Sequence, residues 1–232
     1  MNTALPVLPV HTLFDDFLWS AEAVTASPFA LVGFTGGAGG VAATFETTAP
    51  TDNTYTGLFS AITGTGNNNN TRAGLQGSNG NNRIMAGGGV QVIEWRIRIP
   101  TLATVVTDFN IKVGLQDTTA LGDPANGIYL YYNYNINSGK WRGVTRNAST
   151  STNVDSASST VVAGTWYKLK FQVNAAGTNV EFFVNDVSIG SSTATIPTTN
   201  AMRLMASIEK QGANSAVSRT LDIDHVLYRI ER

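Results

Sequence analysis

Residues 90–99 read VQVIEWRIRI, so Ile93, Trp95, Ile97 and Ile99 fall on one side of an extended chain while Val92, Glu94, Arg96 and Arg98 fall on the other. Side chains alternate across a strand with a period of two, which no helical face reproduces. The same period recurs at residues 109–115, where Phe109, Ile111, Val113 and Leu115 oppose Asn110, Lys112 and Gly114. It recurs at residues 166–173, where Tyr167, Leu169, Phe171 and Val173 oppose Trp166, Lys168, Lys170 and Gln172. Strands with one apolar face must bury that face against a second layer.

Only 13% of residues are charged, against a usual share of roughly 25%, so Thr, Ser, Asn and Gly must carry the surface. Those types suit strands and turns better than helices. The 232 residues are 42% hydrophobic and can fill one core, and an all-β sandwich of this length forms a single domain.

Pro6 and Pro9 keep the start of the chain out of a central strand. Residues 1–12 therefore read as an extended assembly arm, with Leu5, Pro6, Val7, Leu8 and Pro9 as its contacts, followed by one sandwich domain at 13–232. Apolar runs at 29–34, 41–45 and 55–63 read as strands. Residues 64–82, rich in Gly and Asn, read as a long loop too polar to enter a core and suited to touching a partner. Residues 128–136 and 141–146 form a hairpin turning on 137–140, with Tyr129 and Tyr131 on one face and the neighbouring tyrosines on the other. Residues 166–173 and 179–184 are antiparallel neighbours, and Asn185 with Asp186 makes a tight two-residue turn. Residues 202–208 and 221–230 close the chain. About a dozen closely spaced strands, without an amphipathic helix or a fixed repeat, predict an all-β fold: a jelly-roll, two-sheet antiparallel sandwich.

Three blocks carry a resemblance: GTWYKLKFQV at 164–173, VEFFVNDV at 180–187 and LDIDHVLY at 221–228. They resemble the closing strands of concanavalin A-like (laminin-G-like) domains, where a Trp-Tyr strand precedes a strand ending in Asn-Asp and an Ile-Asp strand comes last. The resemblance implies fold rather than activity, with Trp166 as core filler. A chain of this kind without cysteine or an export signal is also similar to virion proteins of tailed bacteriophages. That similarity implies a non-enzymatic structural protein made in the host cytoplasm: capsid decoration or cement, assembling with the major capsid protein and with its own copies. The second expectation is a carbohydrate- or receptor-binding module of a tail fibre, meeting a cell-surface glycan outside the cell. The third is a polysaccharide hydrolase or lyase.

The chemistry-bearing residues favour binding over catalysis. Glycoside hydrolysis needs two carboxylates flanking a cleft, and the pairs available are Asp222 with Asp224 and, with broken register, Asp15 with Asp16; the plainer role of Asp222 and Asp224 is hydrogen bonding to neighbouring backbone or pairing with Arg219 or Arg229. Glu94 to Arg98 resembles the arginine-bearing strand of alginate-type lyases, but the chain has just two histidines, His11 and His225, neither in a catalytic context. No Gly-x-Ser-x-Gly elbow occurs, and without cysteine there is no thiolate chemistry. No catalytic residue is therefore assigned.

For glycan binding, aromatic rings stacking on sugar faces beside polar donors are required, and Tyr132, Tyr134, Trp141, Arg142 and Arg146 of the hairpin are the candidates. Calcium is the one cofactor with candidates, Asp117, Asp123 and Asn126 in the 116–126 loop, although their spacing matches no defined calcium loop. The net charge of −1 is scattered, which argues against nucleic acid and anionic membranes as partners.

Overall fold

A computed structural model describes residues 10–15, 31–36, 44–45, 58–65, 71–77, 83–105, 107–211 and 217–232. The fifteen strands among them are β1 (Val10–Asp15), β2 (Leu31–Gly36), β3 (Thr44–Phe45), β4 (Phe59–Ile62), β5 (Arg72–Gly77), β6 (Val90–Arg98), β7 (Phe109–Gln116), β8 (Gly127–Asn133), β9 (Lys140–Asn147), β10 (Thr150–Thr160), β11 (Trp166–Val173), β12 (Val180–Val184), β13 (Val187–Ser192), β14 (Arg203–Lys210) and β15 (Thr220–Glu231). They form two antiparallel sheets. One, of eight strands, runs β13-β12-β11-β6-β15-β4-β3, with β1 paired to β15 beside that path. The other, of seven strands, runs β10-β9-β8-β7-β14-β5-β2. The expected all-β jelly-roll sandwich is the observed fold.

The core lies between the sheets and takes the apolar phase of each alternating segment. Ile93, Trp95 and Ile97 of β6 and Tyr167, Leu169 and Phe171 of β11 are buried against Phe109, Ile111, Val113 and Leu115 of β7. Aromatic rings continue across the sandwich from Phe109 to Tyr132 at 6.0 Å, Tyr132 to Trp141 at 5.9 Å and Trp141 to Tyr167 at 5.8 Å. Turn chemistry holds the expected hairpins: Asn185 and Asp186 both have positive φ, at 50° and 65°, the conformation a two-residue turn with the twist of its strands requires. At the β8–β9 reversal, a short 3₁₀ turn at Asn137–Gly139, three successive residues have positive φ.

Three features depart from expectation. Residues 72–77 lie in the stretch read as a loop, yet β5 is an inner strand of its sheet, between β14 and β2, with Ala73 and Leu75 buried. Its small residues are a packing requirement, because a β-carbon on Gly74 would overlap the carbonyl oxygen of Ala206. β10 escapes notice because its outward side chains are Ser, Thr, Asn and Asp and it forms a sheet edge. Trp166 is not core filler: it lies in the outward phase of β11, opposite Arg98, and is only half-buried.

β15 contains a bulge. Its register with β6 shifts between Ile223, opposite Ile97, and His225, opposite Arg96, leaving Asp224 as the additional residue. The residues expected to form the assembly arm, Leu5, Pro6, Val7, Leu8 and Pro9, lie outside the described residues.

Candidate functional site

Filling the core leaves two outer sheet faces. On the eight-stranded sheet the charges close on one another. Asp222 Oδ2 accepts from Arg98 Nε at 2.9 Å and Nη2 at 2.7 Å, while Asp222 Oδ1 accepts from Ser60 at 2.9 Å. Arg96 meets Asp224 at 2.5 Å. The Trp166 ring lies 5.0 Å from the Arg96 guanidinium and 4.7 Å from that of Arg98, a cation–π arrangement. The arginines paired with the two aspartates here are those of β6, whereas Arg219 donates to Thr107 at 2.8 Å and Arg229 pairs with Glu231 at 3.0 Å. His225 contacts Glu94 at 3.4 Å and Asp224 at 3.5 Å. Burial acts to lower its pKa, but the two carboxylates prevail and raise it to about 8.

The seven-stranded sheet offers a different surface. Its outward phase places Arg72 of β5, Ser207 and Glu209 of β14, Asn110, Lys112 and Gln116 of β7, and Tyr129 and Tyr131 of β8 side by side. Outward polar side chains normally sit in water, yet Arg72, Lys112 and Gln116 have no exposed surface and Glu209 has 4%. Residues 117–126, between β7 and β8, form a strap across them.

The strap is pinned at its base. Asp117 Oδ2 accepts from the backbone N–H and the side-chain amide of Asn126, each at 2.9 Å, and Asn126 Oδ1 accepts from the Ala148 N–H at 3.0 Å. Its tip engages the buried groups. The Ala120 carbonyl accepts from Arg72, the Gly122 carbonyl accepts from Lys112 Nζ at 2.6 Å, and the Gly122 N–H donates to Glu209 at 2.9 Å. Asp123 reaches Lys112 at 3.1 Å and Arg146 at 3.7 Å.

Contacts that do not involve the strap hold the floor of the site rigid. Arg72 Nη2 donates to Gln116 at 2.8 Å and to Ser207 at 2.9 Å, and its guanidinium lies 5.6 Å from the ring of Phe34. Burial pushes this guanidinium below its ordinary range against the opposing pull of Glu209. Burial, reinforced by Asp123, pushes the phenols of Tyr129 and Tyr131 up, so both remain hydroxyl donors at neutral pH. Arg72 Nε, Arg146 Nε and Glu209 Oε2 have no hydrogen-bond partner among the described residues.

The structure divides the five glycan candidates. Arg142 and Arg146 are on this outer face, Arg142 paired with Asp155 across the β9–β10 edge and Arg146 with Asp123. Tyr132, 1% exposed, and Trp141, 0% exposed, point the opposite way into the core and present no ring to a sugar. The physical reason is phase: Tyr132 lies opposite Ile111, on the apolar side of β7, whereas Tyr131 lies opposite Lys112. Tyr134, 41% exposed, lies beyond the end of β8. Of the calcium candidates, Asp117 and Asn126 bind each other at the base of the strap, while Asp123 faces two cations at its tip. No group of three or more acidic or histidine ligands occurs among the described residues.

Arg72, Ser207 and Glu209 were not singled out from sequence, nor was Gln116 given a role. Lys112 was legible, as a polar residue in the outward phase of an otherwise apolar strand. Arg72 was masked by its Gly- and Asn-rich surroundings.

Two antiparallel sheets packed face to face, with a polar outer face spanned by a loop, define a jelly-roll β-sandwich domain. The chain belongs to the family described as SO2946-like, C-terminal domain, whose model matches residues 54–224. No curated protein sequence matches it. Among solved structures, the chain is similar to the carbohydrate recognition domain of Emp47p, with a TM-score of 0.60 and 12% identity over 94% of this chain and 95% of that one. It is also similar to an endo-β-1,4-glucuronan lyase from the fungus Trichoderma reesei, with a TM-score of 0.55 and 11% identity over 93% and 94% of the two chains. A family 7 alginate lyase in complex with substrate gives a TM-score of 0.52 and 12% identity over 76% and 78%. At such identities the likeness is one of fold.

Proposed function

We propose that this domain binds carbohydrate on the outer face of its seven-stranded sheet. The observation that carries the reading is the buried set Arg72, Lys112, Gln116 and Glu209 on an outward face. Removing charged groups from water is costly, and apolar residues of similar volume generally serve stability as well or better. A rigid floor of donors and acceptors, beside the partly exposed ring of Tyr131, is what a sugar's hydroxyls and apolar face require. The likeness to a carbohydrate recognition domain and to two polysaccharide lyases supports the same reading.

The test is calorimetric titration with a panel of neutral and acidic oligosaccharides, run with and without calcium so that Asp117, Asp123 and Asn126 are examined together. Tyr131→Ala and Arg146→Ala are expected to weaken binding about tenfold, with circular dichroism showing that each variant is folded. No binding across the panel would remove the reading.

A lyase is the second reading, favoured by the register of Tyr131 opposite Lys112, which puts a phenol and an ammonium on one face. Ultraviolet detection of an unsaturated uronate product decides it. Residence on a phage virion, with capsid partners or self-assembly, rests on the sequence resemblance and accommodates a glycan-binding domain on an appendage. Its test is mass spectrometry of purified particles.

A further inference from the structure

We infer that Asp123 and the backbone of residues 120–122 occupy the site as an internal stand-in for its ligand, and that the ligand is an acidic, carboxylate-bearing polysaccharide which displaces the strap. The inference rests on the carbohydrate-binding reading of this face.

The strap's contacts have the chemistry of a uronate residue. Its one carboxylate on the site, Asp123, reaches two cations, Lys112 at 3.1 Å and Arg146 at 3.7 Å. Its two carbonyl oxygens accept from Arg72 and Lys112, as ring hydroxyl oxygens would. Its one N–H, from Gly122, donates to Glu209 Oε1 at 2.9 Å, as a sugar hydroxyl would. A uronate sugar offers the same set, namely a carboxylate, hydroxyl oxygens that accept and hydroxyl protons that donate.

Charge sets the class of ligand. With Asp123 withdrawn, the groups it and the strap's backbone engage are three cations, Arg72, Lys112 and Arg146, and one carboxylate, Glu209, which lies 3.6 Å from Lys112. A neutral glycan leaves that excess uncompensated in a poorly hydrated site, whereas a uronate restores it.

The geometry also allows displacement. The Asp123 side chain is 51% exposed while that of Lys112 beneath it is 1% exposed, so a competing carboxylate approaches from solvent without disturbing the floor. The hinge already exists: Asp117 and Asn126 clamp the strap's base independently of its tip. At the tip, Gly122 has φ of 86° and nothing lies within 4 Å of where its β-carbon would be, so the turn is not wedged in place. The hydrogen bonds from Arg72 to Gln116 and Ser207 do not involve the strap.

The experiment compares wild type, Asp123→Asn, Asp155→Asn and Arg146→Gln by calorimetry with oligoglucuronate, oligogalacturonate and a neutral glucan oligomer of equal length. Asp155 is the control, an exposed acid on the same face that pairs with Arg142 but is not carried by the strap. Asp123→Asn is expected to bind acidic oligomers about tenfold more tightly than wild type, Asp155→Asn within about twofold of it, and Arg146→Gln more weakly. Hydrogen exchange of peptides covering residues 118–125 should speed up on adding the acidic oligomer. Equal gains for both aspartate variants, no gain for Asp123→Asn, or unchanged exchange in the strap would overturn the inference while leaving glycan binding intact. Equal affinity for the neutral oligomer would overturn the assignment to acidic glycans. No binding by any variant to any oligomer removes the underlying reading itself.

Discussion

Gly143 of β9 lies flat against the ring of Phe182 of β12: a β-carbon at residue 143 would overlap the ring's Cγ, Cδ1 and Cδ2 atoms. The two residues belong to opposite sheets, so the ring of one fills the space that a side chain on the other would need. Gly143→Ala should cost about 1–3 kcal/mol, the usual penalty of overpacking, read as a lower urea midpoint. Combining it with Phe182→Leu should cost less than the two changes summed, because the smaller side chain makes room for the methyl group. Strict additivity would sink this account.

Trp141 and Tyr134 separate core from surface within one hairpin. Trp141→Ala removes a fully buried indole and should cost about 3–5 kcal/mol. Tyr134→Ala, at an exposed position, should stay within about 0.5 kcal/mol of wild type. Chemical denaturation of the two variants checks both values, and a stable Trp141→Ala would contradict the burial described.

The contrast shows what sequence alone conveys. Alternation over β6, β7 and β11 specified both the strands and their inward faces, because a one-residue slip would turn every apolar side chain to water. Around Tyr129, Tyr131 and Tyr132 that signal is weak, since tyrosine is at home on either side of a sheet. The phase of β8 is instead set by its neighbour β7, a non-local fact. Arg72 was hidden for a related reason: β5 is built of small residues to fit against β14, so it has the composition of a loop. The strap's role depends on where Gly122 and Asp123 land relative to β14 and β9, which no local pattern encodes.

His225 makes stability fall as pH rises through the mildly alkaline range. Its folded pKa is raised from 6.5 to about 8 by Asp224 and Glu94, so its contribution is complete below about 6.5 and is lost as pH passes 8. The shift corresponds to about 2 kcal/mol. Urea unfolding of wild type between about pH 6 and about pH 9 should show this loss, and His225→Gln should flatten that part of the profile. An unchanged profile in the variant would assign the titration elsewhere.

Asp222 holds Arg98 through two hydrogen bonds and Ser60 through a third. Asp222→Ala takes from Arg98 the carboxylate it pairs with on a largely buried face and should cost about 3 kcal/mol, towards the lower end for broken buried pairs because Arg98 keeps some solvent. Adding Arg98→Met should recover part of the loss. A double variant less stable than Asp222→Ala would refute the pairing as the source of the effect.

The bulge in β15 gives that strand a change of parity. Its buried apolar residues are odd-numbered before the bulge, Leu221 and Ile223, and even-numbered after it, Val226, Tyr228 and Ile230. An insertion or deletion of one residue elsewhere in the strand would turn part of it inside out. Deleting Asp224 would instead leave every remaining side chain on its present side and a perfectly regular ladder. The interior of the sandwich therefore has no use for that residue; its place in the chain answers to Arg96 and the outer surface.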